Sequence, residues 1–305
     1  MLTVDPRHDY DARTLRLVVR MPTAVHKGFI AGVEDNIMSQ LKKIRRGSGK
    51  AAEFAQKMMA MRSTTISLPI VGTNKCSKPE PDTSFWHVNA AYPGVVLEIS
   101  YAQKRRSLSR LAEDYLLDSD ASIQVMVGLD IEYRGSRKAT ISTWRAQEIT
   151  DGEQEELRVV QSVKDEVRLR SRLFYIPKIS QVFRDDDGNP SNGSGLRLRL
   201  KDFANEELAQ DIGDDDHEIA ISSRQLCRYL AEAEARAIAP PQEARSRHRI
   251  RPGLIKRKRS ETPPEDILSG DEAGYLEQED KAAKRAALDD ADFKPSSNET
   301  SFSSL

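Results

Sequence analysis

The chain has 305 residues, 38% of them hydrophobic and 31% charged, and a net charge of −1. That balance excludes a global field drawing in nucleic acid, so electrostatic recognition must come from local clusters. The two cysteines, Cys76 and Cys227, lie far apart and argue against a thiolate zinc site or a disulfide-built secreted domain. No apolar run approaches a membrane span and MLTVDPRHDYDARTLRL has no signal-peptide core, so a soluble, intracellular protein without a membrane partner is expected.

Residues from about 12 to 239 alternate apolar runs with turn signals and are expected to fold. Val25–Ile44 carries Phe29, Ile30, Val33, Ile37, Met38, Leu41 and Ile44 at helical spacing. A second helix is expected at Ala51–Met61 and a strand at Thr64–Val71. Thr83–Val88 and Gly94–Tyr101 read as a hairpin around the turn-rich NAAYPG. Leu108, Leu111, Ala112, Tyr115 and Leu116 form one apolar stripe of a helix at Arg105–Leu117. Ser122–Tyr133 is a near-continuous apolar run, the pattern of a strand covered on both faces, and Lys138–Trp144 alternates as another.

Helix, three strands, helix and two strands make a mixed α/β class, an α+β arrangement on a mixed sheet. The stretch Gln154–Asp216 is harder to assign: LRVV, EVRLRS and LRLRLKDF read as strands around the loop DDDGNPSNGSG. A helix at Ser223–Ala237 closes the ordered part, and the composition changes sharply at Pro240-Pro241. The expected organisation is a core over 1–150, a strand and helix extension over 151–239 packed on it, and a disordered tail over 240–305.

One carboxylate, Glu98, interrupts the apolar strand Gly94–Tyr101, and burying an ionised carboxylate is expensive unless it is paired or holds a cation. Strand alternation puts Val96, Glu98 and Ser100 on one face and Val95, Leu97 and Ile99 on the other. Asp82 opens the partner strand, close enough across such a ribbon to share one ion. Two carboxylates, the Ile99 carbonyl and waters would make an oxygen site for Mg²⁺, which polarises a phosphodiester and activates water. The competing reading is structural: Asp82 as a turn residue after proline, and Glu98 in an ion pair with Arg105 or Arg110.

Asp82 of "PD", fifteen intervening residues and Glu98 in VVLEIS resemble the PD-(D/E)xK pattern of restriction-endonuclease-like nucleases. More narrowly, "PD…EIS" followed by an amphipathic helix and a hydrophobic strand resembles a restriction-endonuclease family of uncharacterised proteins. The likeness covers about Thr64 to Arg145, and it implies a restriction-endonuclease-like core with additional strands and helix. The family's lysine, two residues after the second acid, is here Ser100, which carries no charge. Gln103 and Lys104 follow at once, Lys104 as a replacement cation and Gln103 as a group that orients water. Glu34 or Asp35 on the first helix would supply an extra acid.

The histidines have no metal-ligand spacing, and His87, Trp86 and Trp144 read as structural. Asp185–Asp187 and Asp214–Asp216 are loops, since Phe183 stands where a calcium loop needs its first ligand. Between Arg245 and Arg259 lie eight Arg/Lys residues and no acid, a pattern that reads as a nuclear localisation signal for an import receptor, with polyanion contact as the alternative. Ser260 and Thr262 follow, where phosphorylation would weaken either use. Two functions compete: a nuclear Mg²⁺-dependent nuclease using Asp82, Glu98 and Gln103 or Lys104, and a nuclease-like module that binds nucleic acid or a protein without turnover. A third reading makes the tail the functional part and the domain its scaffold.

Overall fold

The computed structural model describes residues 7–101, 105–132, 135–151, 154–162 and 180–238, together with Glu277 and Lys281. Contacts divide the chain after Ala239, and in the second unit Lys281 Nζ pairs with Glu277 one helical turn away at 2.6 Å. The expected tail disorder and the basic run Arg245–Arg259 lie outside the described residues. Among the described residues no helix is long and apolar enough to cross a membrane.

The first unit opens with a hairpin, β1 (Arg7–Asp11) and β2 (Arg16–Arg20). Then come α1 (Ala24–Arg45), α2 (Lys50–Gln56), β3 (Met58–Ala60), β4 (Leu68–Pro69) and β5 (Cys76–Ser77). They lead into β6 (Thr83–His87), β7 (Val95–Tyr101), α3 (Arg105–Asp118) and β8 (Val125–Ile131). β9 (Ala139–Asp151), β10 (Gln154–Ser162), β11 (Gln181–Arg184) and β12 (Leu196–Arg199) follow. Two short 3₁₀ turns flank α4 (Glu206–Ala209), and β13 (Glu218–Ile221) and α5 (Ser223–Ile238) complete the unit.

The central sheet runs β10-β9-β8-β7-β6-β3, with β11 also on β9. Only β7 and β8 are parallel, because α3 carries the chain back across one face between them; the other pairs are antiparallel. This is a mixed α/β fold on a mixed sheet. β8 is buried at every position, as its unbroken apolar run predicts. Val95, Leu97 and Ile99 of β7 join Val125, Val127 and Leu129 in a core under α1, while Val96 and Met126 face Leu108, Ala112, Tyr115 and Leu116 of α3. The sheet is therefore covered on both faces.

α1 buries Phe29, Ile30, Val33, Ile37 and Leu41, a stripe at helical spacing, and Thr23 caps it by accepting from the His26 amide at 3.3 Å. The extension shares this core rather than forming its own: Leu196, Leu198, Ile219, Ile221, Leu226 and Leu230 pack into it. The two parts touch closely at Gly94, since a Cβ there would lie 2.0 Å from the Phe203 carbonyl carbon. A side chain would push the start of β7 off that segment.

Two expectations change. The helix expected over Ala51–Met61 stops at Gln56, and Met58–Ala60 becomes an edge strand on β6 that buries Met58. Thr64–Val71 yields only the two-residue β4, paired with β5 outside the central sheet, though Ile66 and Leu68 are buried under α3. So the three sheet strands before α3 are β3, β6 and β7. LRVV lies in β10, EVRLRS lies outside the described residues, and LRLRLKDF splits into β12 and a 3₁₀ turn.

Candidate functional site

Asp82 and Glu98 come together by sheet register. The Asp82 amide donates to the Leu97 carbonyl at 3.1 Å, and Asp82 Oδ2 accepts from the Ile99 amide at 2.5 Å. Ile99 thus meets Asp82 through its N–H. Both acids are buried, Asp82 to 3% and Glu98 to 1% exposure, so each needs a compensating partner.

The partners come from the N-terminal hairpin and the helices. Arg20 Nη1 lies 2.8 Å from Glu98 Oε2, and the Tyr115 hydroxyl donates to Oε1 at 2.9 Å. Asp82 Oδ1 meets Arg7 Nη1 and, at 2.7 Å, His26 Nε2. Three of the four carboxylate oxygens therefore accept hydrogen bonds from the protein itself, and Asp82 Oδ1 lies in ion-pair contact with Arg7 and His26. Arg20 is held in turn, by Asp9 through Nε at 2.7 Å and Nη2 at 2.8 Å and by the Glu80 carbonyl. Asp9 also accepts from the Glu80 amide at 2.9 Å, closing a network from β1 to the segment just before β6.

The electrostatics follow from burial among these charges. Burial pushes the Glu98 carboxyl upward, against the pull of Arg20 and the Tyr115 hydrogen bond. Burial also works against the Arg20 charge, yet Glu98 and Asp9 hold that guanidinium well above its ordinary value. Burial, with Arg7, Arg20 and Lys27, drives His26 down to about 3. The imidazole stays neutral, with its Nε2 facing Asp82 Oδ1 at 2.7 Å. Tyr115 is raised by burial and by Glu98, so its hydroxyl keeps its proton and remains a donor.

Glu98 thus has an arginine partner, Arg20 of the N-terminal hairpin. Arg110 pairs with Asp11 at 3.2 Å, and the Arg105 side chain lies outside the described residues. Arg20 is 78 positions upstream of Glu98. Gln103 and Lys104 also lie outside the described residues. Ser100 is buried and stands opposite the buried Asp130 of β8 in the parallel register. Glu34 is beside the site, accepting from Thr83 Oγ1 at 2.7 Å and facing Arg62 at 3.5 Å.

Other singled-out residues are structural. His87 is buried and stacks on Phe54 at 4.9 Å, Trp86 donates to Ser84 Oγ at 3.0 Å, and Trp144 is in the α3 core. Asp185 accepts from the amides of Asp187 and Asn189, and Asp216 from that of Lys201, as loop aspartates do.

A divalent cation does not fit this arrangement. It needs free carboxylate oxygens, and those of Asp82 and Glu98 are engaged, with two guanidiniums on the same oxygens. Among the described residues no group of three or more His, Cys, Asp or Glu side chains is disposed to hold a metal ion. Compared with known protein families, curated proteins and solved structures, the chain matches none.

Proposed function

We propose that the chain is a nuclease-like module that binds nucleic acid without cleaving it, tethered in the nucleus by its basic tail segment. The observation that carries this reading is that groups inside the fold occupy the oxygens of Asp82 and Glu98, three through hydrogen bonds and Asp82 Oδ1 through ion-pair contact with Arg7 and His26. Buried Ser100 at the place of the motif lysine supports it, since a hydroxyl supplies no charge to a scissile phosphate. The eight Arg/Lys residues between Arg245 and Arg259 supply a local cationic cluster for polyanion contact.

The test is fluorescence anisotropy of labelled single- and double-stranded DNA and RNA with the full chain in EDTA over a salt series, beside a cleavage assay in Mg²⁺ and Mn²⁺. The expected result is binding whose logarithm falls linearly with log salt, with every probe intact. Cleavage that disappears in a folded Glu98→Gln chain overturns the reading in favour of a Mg²⁺-dependent nuclease. No binding to any probe overturns it in favour of a protein-interaction scaffold.

A further inference from the structure

The stretch from Lys42 to Lys57, KKIRRGSGKAAEFAQK, carries six Lys/Arg residues and one acid, in a chain whose net charge is −1. It covers the last turn of α1, the connection Gly47-Ser48-Gly49 and all of α2. Arg45 is used internally: its guanidinium donates to the Ala55 carbonyl at 3.2 Å and to the Met58 carbonyl at 3.0 Å. That fastening brings the end of α2 beside the end of α1, and with it Lys57, the residue that follows α2. Lys42, Lys43, Arg46, Lys50 and Lys57 are all exposed, so five cations gather at one helix–turn–helix corner.

The acids nearby do not balance them. Glu53 meets Lys50 at 3.1 Å with both side chains 61% exposed, a pair that solvent screens. Among the described residues Lys42, Lys43, Arg46 and Lys57 are in no ion pair. Basic residues in a last turn suit the negative end of a helix, which accounts for Lys42 and Lys43. Arg46, Lys50 and Lys57 lie beyond that end, and the spacing of Lys42 to Arg46 sets like charges one turn apart, which weakens a helix.

We infer that this corner is a contact surface for the phosphate backbone of nucleic acid, carried by the folded domain independently of the basic run in the tail. The inference rests on the nucleic-acid-binding reading and locates that binding on the fold. The charges are of one sign, long-stemmed and solvent-facing, which suits phosphates held without regard to sequence. Lys42 to Arg46 spans about 6 Å of helix axis, close to the rise of two nucleotides along one strand of a duplex. Gly49 has a φ of 85°, and among the described residues outside its immediate neighbours no atom lies within 4 Å of where its Cβ would stand, so a strand has room to approach. His26, in the first turn of α1, meets Asp82, which puts Lys42 about 24 Å along the helix from the acid pair. A backbone gripped here is gripped away from Asp82 and Glu98, in keeping with binding without cleavage.

The test measures anisotropy of a labelled DNA duplex of arbitrary sequence with the full chain over a salt series. Wild type is compared with Lys42→Gln/Lys43→Gln/Arg46→Gln/Lys57→Gln and with the charge-keeping Lys42→Arg/Lys43→Arg/Arg46→Lys/Lys57→Arg. A tail variant has its eight Arg/Lys residues between Arg245 and Arg259 replaced by glutamine. The four-glutamine corner variant is expected to lose about a hundredfold or more in affinity at about 0.1 M salt, and about 3–4 units of the slope of log affinity against log salt. The charge-keeping variant is expected to bind like wild type, and the tail variant to retain the part of the slope that the corner supplies. If the corner variant does not fold by circular dichroism, Arg46→Gln/Lys57→Gln, which spares both helices, carries the same test with an expected loss of about 2 units of slope.

A folded corner variant with wild-type affinity and slope, beside a tail variant that no longer binds, overturns the inference and leaves nucleic-acid binding standing. Displacement of the duplex by polyglutamate at equal charge overturns it in favour of an acidic protein partner. No binding of nucleic acid by wild type sinks the proposed function itself, so the two failures are distinguishable.

Discussion

Replacing Arg20 by methionine keeps most of the side-chain stem and removes the charge that Glu98 faces at 2.8 Å. The cost has a ceiling set by the carboxyl itself, because a stranded Glu98 takes up a proton. From an ordinary value of 4.5, holding that proton at pH 7 costs about 3.4 kcal/mol, at about 1.36 kcal/mol per unit. At pH 5 the same ceiling is only about 0.7 kcal/mol. In the variant burial raises the folded-state carboxyl above its unfolded value, so the protonated form is the stable one, and stability is lost as pH rises above 4.5. Urea unfolding of both proteins at pH 5, 6 and 7, followed by circular dichroism, measures the difference. Burial already raises the carboxyl in wild type, which shares part of this loss, so the expected deficit of Arg20→Met grows with pH from under about 1 kcal/mol at pH 5 to at most about 3 kcal/mol at pH 7, with m unchanged. A deficit that is flat with pH, or below about 0.5 kcal/mol at pH 7, would refute the claim that Arg20 neutralises a buried Glu98.

Tyr115→Phe leaves Glu98 Oε1 without its hydroxyl donor and should lower stability by about 1–3 kcal/mol in the same urea assay. For His26, whose folded value lies near 3 against 6.5 in the unfolded chain, the unfolded state binds the extra proton. Wild type should therefore lose about 2 kcal/mol on going from pH 6.5 to pH 5 that His26→Gln does not lose, and parallel pH profiles would contradict the neutral imidazole. Gly94→Ala places a Cβ against the Phe203 carbonyl, a backbone neighbour that cannot rotate away. A melting temperature within about 2 °C of wild type, where a loss of about 3 kcal/mol or more is expected, would show that this contact is looser than the geometry states.

The core was largely legible because period and burial agree in it. The α1 stripe, the apolar run of β8 and the α3 stripe through Leu108, Ala112, Tyr115 and Leu116 are buried as their spacing predicts. Short edge elements were not legible: Met58–Ala60 has good helix formers and becomes a strand only because β6 offers it an edge. The juxtaposition of Asp82 with Glu98 was readable from one hairpin. Their partners were not, since Arg7, Arg20 and His26 precede them by 56 to 78 residues. The available signal was the alternation of Arg16, Val18 and Arg20 against Leu15, Leu17, Val19 and Met21, but a periodic pattern does not say which side faces inward.

That ambiguity carries the functional argument. A solvent-facing strand with ordinary patterning would turn Leu17 and Val19 inward and leave Arg20 in water. The hairpin does the reverse because the surface beneath it presents two buried carboxylates, and pairing them outweighs hiding a few apolar side chains. Burying one hydrophobic side chain is worth about 1.5–3 kcal/mol, whereas stripping the partner from a buried charge costs about 3–5 kcal/mol. Arg7 and Arg20 each answer one acid, so turning the hairpin over would strand both at once. The inverted pattern follows from the acid pair, and the apolar side chains it leaves exposed on β2 follow from the same choice.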